Sequence, residues 1–231
     1  MMHPVSNLLL RALPVELRAS LLAQMQEVDL PLSTSIYAPQ ETPKYAHFMT
    51  SGITSIVTFM ADGDGCEVGL VGPEGLVEVF HLLGPLPVPT TAFVQLAGTA
   101  LRMPYAELKK EFQSNDVLRE VVLRLVQGQS SMVSQIAACN RLHEVEQRLA
   151  RWLLMVSDRV ESSKFYLTQE FLAEMIGAQR STVTLAAGAL QRSGLIEYRR
   201  GHIQILERPK LEGAACECYP IVKKLAENLY A

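Results

Sequence analysis

Hydrophobic and polar positions along the chain first follow the period of β-strands. Between about residues 28 and 104, short apolar or alternating runs are separated by turn signals rich in glycine and proline. Residues 53–59 and 91–96 are such runs, and residues 62–65 and 84–87 are such turns. Many short strands at regular spacing predict a β-barrel or jelly roll. A short helix, predicted over residues 15–25, precedes the strands.

The period then changes to that of a helix, from about residue 116 to residue 139. Apolar positions recur every seven residues, and a second set follows four residues after each of them, which is the spacing of a coiled coil. We predict a linker helix over residues 114–143 that forms a dimer interface. The predicted interface residues are Leu118, Val122, Leu125, Gln129, Met132, Ile136 and Cys139. The alternative is a helix that packs only onto its own barrel.

A third pattern, between residues 167 and 190, predicts two short helices joined by a tight turn. Thr168 is a good N-cap for the first helix, and Gly177 supplies the left-handed backbone that ends it. Apolar positions recur at helical spacing on both sides of the glycine. They are Phe171, Leu172, Met175 and Ile176 before it, and Val183, Ala186, Ala187 and Leu190 after it.

The segment after these helices, residues 194–205, reads as a β-hairpin with a basic tip. Helix, turn, helix and hairpin is the order of a winged helix-turn-helix, which places its second helix in the DNA major groove. Arg180 is the candidate for reading a guanine through O6 and N7. The predicted DNA-binding residues are Thr168, Gln179, Arg180, Ser181, Thr182, Thr184, Arg199, Arg200 and His202. The alternative is an αα-hairpin in a helical core, followed by a turn that is basic by chance.

This segment resembles the winged helix of the Crp/Fnr family (cyclic-AMP receptor protein / fumarate-nitrate regulator) of bacterial transcription factors. The matching residues are Leu167, Thr168, Ala173, Ile176, Gly177, Arg180, Thr182, Val183, Leu190, Gly194, Leu195 and Ile196. Well-known members carry a glutamate and a second arginine where this chain has Ser181 and Leu185. The family's usual operator sequence therefore does not carry over.

The resemblance implies an α+β fold in three parts. These are a cyclic-nucleotide-binding-type β-roll (residues 1–113), a dimerisation helix (114–143) and a winged helix-turn-helix domain (144–231). It also implies a homodimer that binds an inverted repeat in double-stranded DNA, with RNA polymerase as an expected partner.

The ligand-binding cassette of the family is altered in this chain. Members that bind a cyclic nucleotide use Gly-Glu for the ribose and Arg-Ser for the phosphate. The corresponding effector-pocket candidates here are Gly75, Leu76, Glu78, Thr90 and Thr91. Leu76 replaces the glutamate, Thr90 replaces the arginine, and no Lys or Arg occurs between residues 46 and 101. A buried phosphate needs a cation or many donors, so we expect no tight binding of cyclic AMP or cyclic GMP and leave the effector unknown.

Composition and charge agree with a cytoplasmic DNA-binding protein. Residues 1–144 hold 9 basic and 14 acidic side chains, and residues 145–231 hold 12 and 10, so the basic excess lies with the predicted winged helix. No apolar run is long enough to cross a membrane, and the first residues do not form a signal peptide. The cysteine spacing indicates a reducing compartment.

Candidate chemistry is sparse, and we predict no enzyme, no cofactor and no metal. The chain shows no phosphate loop, nucleophile motif or metal-spaced cluster. Glu67, Glu74 and Glu78 adjoin glycine turns and are expected to be solvated. Cys216 and Cys218 give too few ligands for a structural zinc site. The remaining alternative is a ligand-binding regulatory module with an unknown effector and weak or lost DNA binding.

Overall fold

The computed structural model describes residues 6–230. The first five residues, which begin the segment considered above as a signal peptide, and Ala231 lie outside the description. The chain divides into two compact units. The first contains the described residues up to Ile56, Gly69–Ser130 and those from Ala226 onward, and the second contains Val57–Val68 and Ser131–Leu225.

Strands over residues 26–104 form two four-stranded sheets. They are β1 (Gln26–Leu30), β2 (Ser35–Tyr37), β3 (Tyr45–Met49), β4 (Ile53–Phe59), β5 (Gly65–Val71), β6 (Leu76–Val77), β7 (Thr91–Leu96) and β8 (Gly98–Pro104). The sheet orders are β1-β8-β3-β6 and β2-β7-β4-β5. The predicted β-roll is confirmed. Three short helices accompany it: α1 (Leu8–Arg11), α2 (Val15–Leu22) and α3 (Phe80–Leu83).

The core of the first unit lies under β3, which pairs antiparallel with both β8 and β6. Ala46, Phe48 and Met49 on this strand are fully buried. Phe48 packs in one cluster with Leu76 and Met103 from the neighbouring strands. Two further helices close this core: α4 (Tyr105–Ser114) and α5 (Asp116–Leu142). At the start of α5, the side-chain oxygen of Asn115 accepts the amide hydrogen of Leu118 at 3.0 Å.

Most of the residues predicted at the dimer interface on α5 are buried within the chain itself. Leu118, Val122 and Leu125 are fully buried within the chain, in the same cluster as Phe48. Met132 and Cys139 are also buried, and Gln129 and Ile136 are half-buried. A side chain that its own chain already covers has no surface left for a second copy. The seven-residue spacing therefore marks the face that packs inward, which was the alternative interpretation.

A different face of α5 is exposed. Leu123 and Val133 are 45% and 39% exposed. Together with the half-buried Val126 and the exposed Ser130 and Ala137, they recur at intervals of three and four residues. That spacing places them on one side of the helix. This set is called the outer stripe of α5 below.

The second unit contains the predicted helices and hairpin. Its elements are α6 (Val145–Val160), β9 (Lys164–Tyr166), α7 (Gln169–Ile176), α8 (Arg180–Arg192), β10 (Ile196–Arg199), β11 (His202–Ile205) and α9 (Arg208–Ala214), and α10 (Cys218–Glu227) begins in it. Glu144 and Gln147 form a capping box at the start of α6. Trp152 on this helix is buried, as the sequence predicts, and its Nε1 donates to Glu67 Oε1 at 2.8 Å. Within residues 6–230, none of the helices is long and apolar enough to cross a membrane.

Candidate nucleic-acid interface and effector pocket

The turn between α7 and α8 has the geometry that its sequence predicts. The hydroxyl oxygen of Thr168 accepts the amide hydrogen of Phe171 at 3.2 Å, which caps the start of α7. Gly177 ends the helix with φ +57°, in the left-handed region. The amide of Ala178 then donates to Ala173 O at 3.0 Å. These bonds satisfy backbone groups at both ends of α7 and fix the direction in which α8 leaves.

The N-terminal half of α8 presents polar side chains to solvent. Gln179, Arg180, Ser181 and Thr184 are exposed, and Thr182 is half-buried. Val183, Ala186, Ala187 and Leu190 are buried on the opposite side, as predicted. Leu185, where well-known members of the family carry an arginine, is 71% exposed. An exposed aliphatic group on this face has the chemistry to contact a thymine methyl.

Two contacts hold this face against α7. A guanidinium nitrogen of Arg180 lies 2.8 Å from Glu170 Oε1, and both side chains are largely exposed. The hydroxyl of Thr184 donates to Gln169 Oε1 at 2.9 Å and also lies 3.0 Å from Arg180 O. The sequence interpretation missed Gln169 and Glu170. Their position in the first turn of α7 becomes informative only when the angle between the two helices is known.

The wing is a three-stranded sheet in the order β10-β11-β9. Arg199 pairs with His202, so Arg200 and Gly201 alone form the loop of the hairpin. Both have positive φ, +52° and +84°, as a type I′ turn requires. Arg199, Arg200 and His202 are exposed. The predicted hairpin is present, and β9 is the strand that the sequence interpretation omitted.

Aromatic residues position the wing. The hydroxyl of Tyr198 donates to Leu167 O at 2.9 Å, immediately before the N-cap of α7. The rings of Tyr166 and His202 make an edge-to-face contact with centroids 5.1 Å apart. A cleft of about 670 Å³ lies along these strands. Its polar lining includes Lys164, Tyr166, Arg199, Arg200 and His202.

The effector-pocket candidates lie in the first unit, where Gly75, Leu76 and Glu78 are buried and Thr90 and Thr91 are half-buried. The hydroxyl groups of Tyr37 and Thr90 are 3.0 Å apart, and Thr91 donates to Tyr37 O at 2.9 Å. Leu76 is fully buried and contributes only apolar surface, while a side chain at Gly75 would meet Val71. Glu78, with φ +65°, accepts the amide hydrogen of His81 at 3.0 Å.

Glu78 is the acidic side chain among these candidates. Burial raises the pKa of Tyr37 and of Tyr105 well above its usual range, and the charge of Glu78 raises both further. The expectation that Glu67, Glu74 and Glu78 are solvated is wrong, because all three are buried. Glu67 accepts from Trp152, and Glu78 lies 3.0 Å from His81 Nδ1. Glycine turns next to a glutamate do not by themselves expose it when the neighbouring strands close over it.

Two cations flank the stretch of residues 46–101 that contains none. Lys44 and Arg102 line a cleft of about 360 Å³ in the first unit, together with Tyr37, Tyr45 and His47. The guanidinium of Arg102 lies over the ring of Tyr45, 4.5 Å from its centroid. Burial, and secondarily the charge of Arg102, lower the pKa of His47 to about 4. The cation contact with Tyr45 shows that Arg102 already has a partner in this cleft.

Cys216 and Cys218 are buried in the second unit beside Cys139. Cys139 Sγ lies 3.4 Å from Cys216 Sγ, and this hydrogen bond lowers the pKa of the Cys216 thiol. His143 joins them, so the cluster has four candidate ligands where the sequence interpretation counted two. The sequence signal for the two additional ligands is the interval of four residues between Cys139 and His143, which places both side chains on one face of a helix. The sequence interpretation attributes both residues to the coiled-coil pattern instead.

Comparison with known proteins agrees with this architecture. Residues 147–214 match the Crp-like helix-turn-helix domain. A CRP-like cAMP-activated global transcriptional regulator of Mycobacterium tuberculosis is 24% identical over 200 residues, covering 84% of this chain and 89% of that protein. A Crp/Fnr-family regulator from Eubacterium rectale superposes with a TM-score of 0.72 at 16% identity, over 89% of this chain and 96% of that one. The c-di-GMP-responsive global regulator of Xanthomonas campestris superposes with a TM-score of 0.68 at 18% identity, over 83% of this chain and 99% of that one.

The β-roll, the long helix and the winged helix-turn-helix of this chain have the same architecture as these two solved regulators. Residues 147–214 belong to the Crp-like helix-turn-helix domain family.

Proposed function

We propose that this protein is a transcription regulator that binds an inverted repeat in double-stranded DNA as a homodimer, with α8 in the major groove. The observation that carries the proposal is the exposed N-terminal half of α8, where the side chains of Gln179, Arg180, Ser181 and Thr184 reach solvent without a covering element. The N-terminal residues of a recognition helix are those that contact base edges.

The surroundings of α8 support phosphate contacts on both sides of the groove. A cleft of about 330 Å³ is lined by Thr168, Gln169 and Glu170 at the start of α7 and by Arg200 and Gly201 at the wing tip. Thr168 uses its oxygen as a helix cap, so its hydroxyl hydrogen stays available for a phosphate. Arg199, Arg200 and His202 supply exposed donors that position the protein without reading sequence.

We infer that the second copy docks on the outer stripe of α5. Leu123 and Val133 are the largest exposed apolar residues on that side of the helix, and Ser130 and Ala137 are small enough for two helices to approach closely. Two copies related by a two-fold axis then present two α8 helices to half-sites about one DNA turn apart. RNA polymerase is the proposed downstream partner.

For the β-roll, we propose an effector other than a cyclic nucleotide. The relative from Mycobacterium tuberculosis is described as cAMP-activated, but the effector-pocket candidates of this chain offer a phosphate the hydroxyl of Thr90 and the buried carboxyl group of Glu78, and no Lys or Arg. Like charges in a buried site repel strongly. Cyclic AMP should therefore change neither the melting temperature nor the DNA affinity of the protein, and a ligand-dependent gain in either would contradict this assignment.

Selection of duplexes from a random library by the purified, ligand-free protein tests DNA binding directly. We expect enrichment of an inverted repeat, and an affinity that falls linearly on a logarithmic scale as salt rises. The Arg180 and Leu123 variants described below then separate base reading from dimerisation. Absence of enrichment at near-physiological salt, together with an affinity that does not change with salt, would favour a ligand-binding module that has lost DNA binding.

A further inference from the structure

Three thiols and one imidazole converge at the C-terminal end of α5, within the second unit. The ligand atoms of Cys139, His143, Cys216 and Cys218 all lie within 4.8 Å of one another. Neither the predicted DNA interface nor the effector-pocket candidates include Cys216 or Cys218. The cluster therefore has no role in the function proposed above.

Local backbone geometry brings the four residues together as two pairs. Cys139 and His143 are four residues apart, and the His143 amide donates to Cys139 O at 3.1 Å. The helical turn thus continues past Leu142 and puts both side chains on one face. Cys216 lies in the short connection between α9 and α10, and Cys218 is the first residue of α10. One pair comes from a helix end and the other from a tight connection.

The distances suit one tetrahedral ion. Cys139 Sγ lies 3.4 Å from Cys216 Sγ, and Cys218 Sγ lies 3.6 Å from His143 Nδ1. Zinc bonds of about 2.3 Å to sulfur and about 2.0 Å to nitrogen place neighbouring ligand atoms roughly 3.5–3.8 Å apart. A disulfide needs its sulfurs about 2.05 Å apart. An iron–sulfur cluster spreads its thiolates more widely, because several iron atoms lie between them.

We propose that Cys139, His143, Cys216 and Cys218 form a structural Zn²⁺ site of the Cys₃His type. Soft thiolates combined with one imidazole in a closed tetrahedral arrangement are the donor set typical of structural zinc. His143 binds through Nδ1, the nitrogen that faces Cys218.

Groups around the four ligands support the site. His143 Nε2 lies 3.1 Å from Glu217 Oε1, so a carboxylate accepts from the ring nitrogen that does not face the metal. Gln135 Nε2 donates to Cys218 Sγ at 3.1 Å. Three thiolates and Zn²⁺ leave one net negative charge. The guanidinium of Arg151, which is buried and acts electrostatically on Cys139 and Cys216, offsets that charge.

The site ties segments that are far apart in sequence. Cys139 and Cys216 are separated by 77 residues, so a bound ion closes a long loop that contains all of α6 to α9. Metal that binds the folded chain and not the unfolded one adds its binding free energy to folding. The expected role is to fix the end of α5 to the α9–α10 connection.

The test uses the full-length chain, purified untagged and without chelator. We expect one zinc per protomer by elemental analysis. After zinc removal, Co²⁺ added alone should saturate at one equivalent, with the d–d bands of a tetrahedral site and thiolate-to-cobalt charge transfer. Cys216→Ser, Cys218→Ser and His143→Ala should each lower the affinity for Co²⁺ by more than 100-fold. Cys66→Ser is the matched control, since Cys66 is the cysteine outside the cluster, and it should bind as the wild type does.

Two further variants keep the result decisive if a ligand variant fails to fold. His143→Cys retains four ligands and should still saturate with one Co²⁺, with stronger charge transfer. Glu217→Ala should lower metal affinity about tenfold, while Glu227→Ala, another exposed glutamate, should not. A folded wild-type chain that takes up no Co²⁺ would overturn the proposal. So would bound iron with sulfide, or a Cys139–Cys216 disulfide in the freshly purified protein.

Discussion

The guanidinium of Arg180 lies 2.8 Å from the carboxylate of Glu170, so α7 holds the proposed base-reading side chain in the DNA-free protein. The two side chains are 64% and 60% exposed. An exposed pair of this kind contributes between about 0 and 1 kcal/mol, and DNA can therefore displace Glu170 at little cost. The contact orients Arg180 without preventing it from moving into the groove.

Glu170→Gln should strengthen DNA binding. The substitution frees Arg180 and removes a negative charge close to the proposed phosphate contacts, so we expect affinity to rise up to about fivefold at low salt. Fluorescence anisotropy with the selected duplex measures the effect. Glu107→Gln is the control, because it breaks an exposed pair with Lys110 in the first unit, and its affinity should not change. Weaker binding by Glu170→Gln would mean that the carboxylate positions Arg180 for contact.

Arg180→Ala should lower specific affinity by about 1–3 kcal/mol, the usual value of a bidentate contact with guanine. Arg192→Ala removes the same charge from the last turn of α8, roughly 18 Å along the helix, and should keep sequence preference intact. Binding to duplexes mutated at single positions distinguishes the two variants. An identical base preference in wild type and Arg180→Ala would remove Arg180 from the reading surface.

Gly201→Ala should distort the wing. The residue has φ +84°, and a Cβ atom would lie 2.5 Å from the Tyr166 ring. The left-handed backbone costs about 1–2 kcal/mol for a residue with a side chain, and displacement of Tyr166 also disturbs its contact with His202. Urea unfolding should show a lower stability for Gly201→Ala than for the wild type, and its DNA affinity should also be lower. At Gly213, in α9, an added Cβ meets no atom within 4 Å, and Gly213→Ala should be neutral or stabilising.

Leu123→Glu should convert the protein to a monomer and weaken operator binding at least tenfold, because one copy reaches only one half-site. Val117→Glu is a closely matched control: Val117 is equally exposed, at 45%, and lies on the opposite side of α5 from the outer stripe. Sedimentation velocity gives the oligomeric state of each variant. A dimer that survives Leu123→Glu would exclude the outer stripe as the interface.

The free energy of unfolding should decrease as the pH falls, because the pKa of His47 is lower in the folded protein than in the unfolded chain. Burial and Arg102 lower its pKa to about 4 in the folded protein, against about 6.5 in an unfolded chain. Between these values the unfolded chain binds the additional proton. The stabilisation is therefore complete above pH 6.5 and falls by about 3 kcal/mol as the pH approaches 4. Urea midpoints from pH 7 to pH 4 should show this slope in wild type and in His202→Gln, an exposed control. His47→Gln should flatten it.

Local signals allowed the helix-turn-helix and the wing to be predicted from sequence. Thr168 caps a helix by a bond to Phe171, three residues away, and Gly177 ends it through its own backbone angle. Arg200 and Gly201 form a turn whose geometry depends on two residues. Each cap, helix end or turn depends on a few neighbouring residues, so it can be predicted from the sequence without knowledge of the rest of the fold.

The seven-residue repeat of apolar positions on α5 was also visible in the sequence, but the surface that this face contacts was not. A seven-residue repeat states which side chains share a face, and it does not state whether that face meets a second copy or the same chain. Leu118, Val122 and Leu125 belong to the same buried cluster as Phe48 and Met103 of the β-roll. The outer stripe, with its smaller and more polar side chains, gave a weaker signal because its apolar area is small.

The sequence by itself determined the order of modules, the ends of α7 and α8, the wing turn and the absence of a cation between residues 46 and 101. Only the tertiary structure decided which glutamates are buried, that Glu170 meets Arg180, and that Cys139 and His143 face Cys216 and Cys218. The physical reason is distance along the chain. Caps and turns are governed by neighbouring residues, whereas burial and ligand convergence depend on the packing of segments up to 77 residues apart.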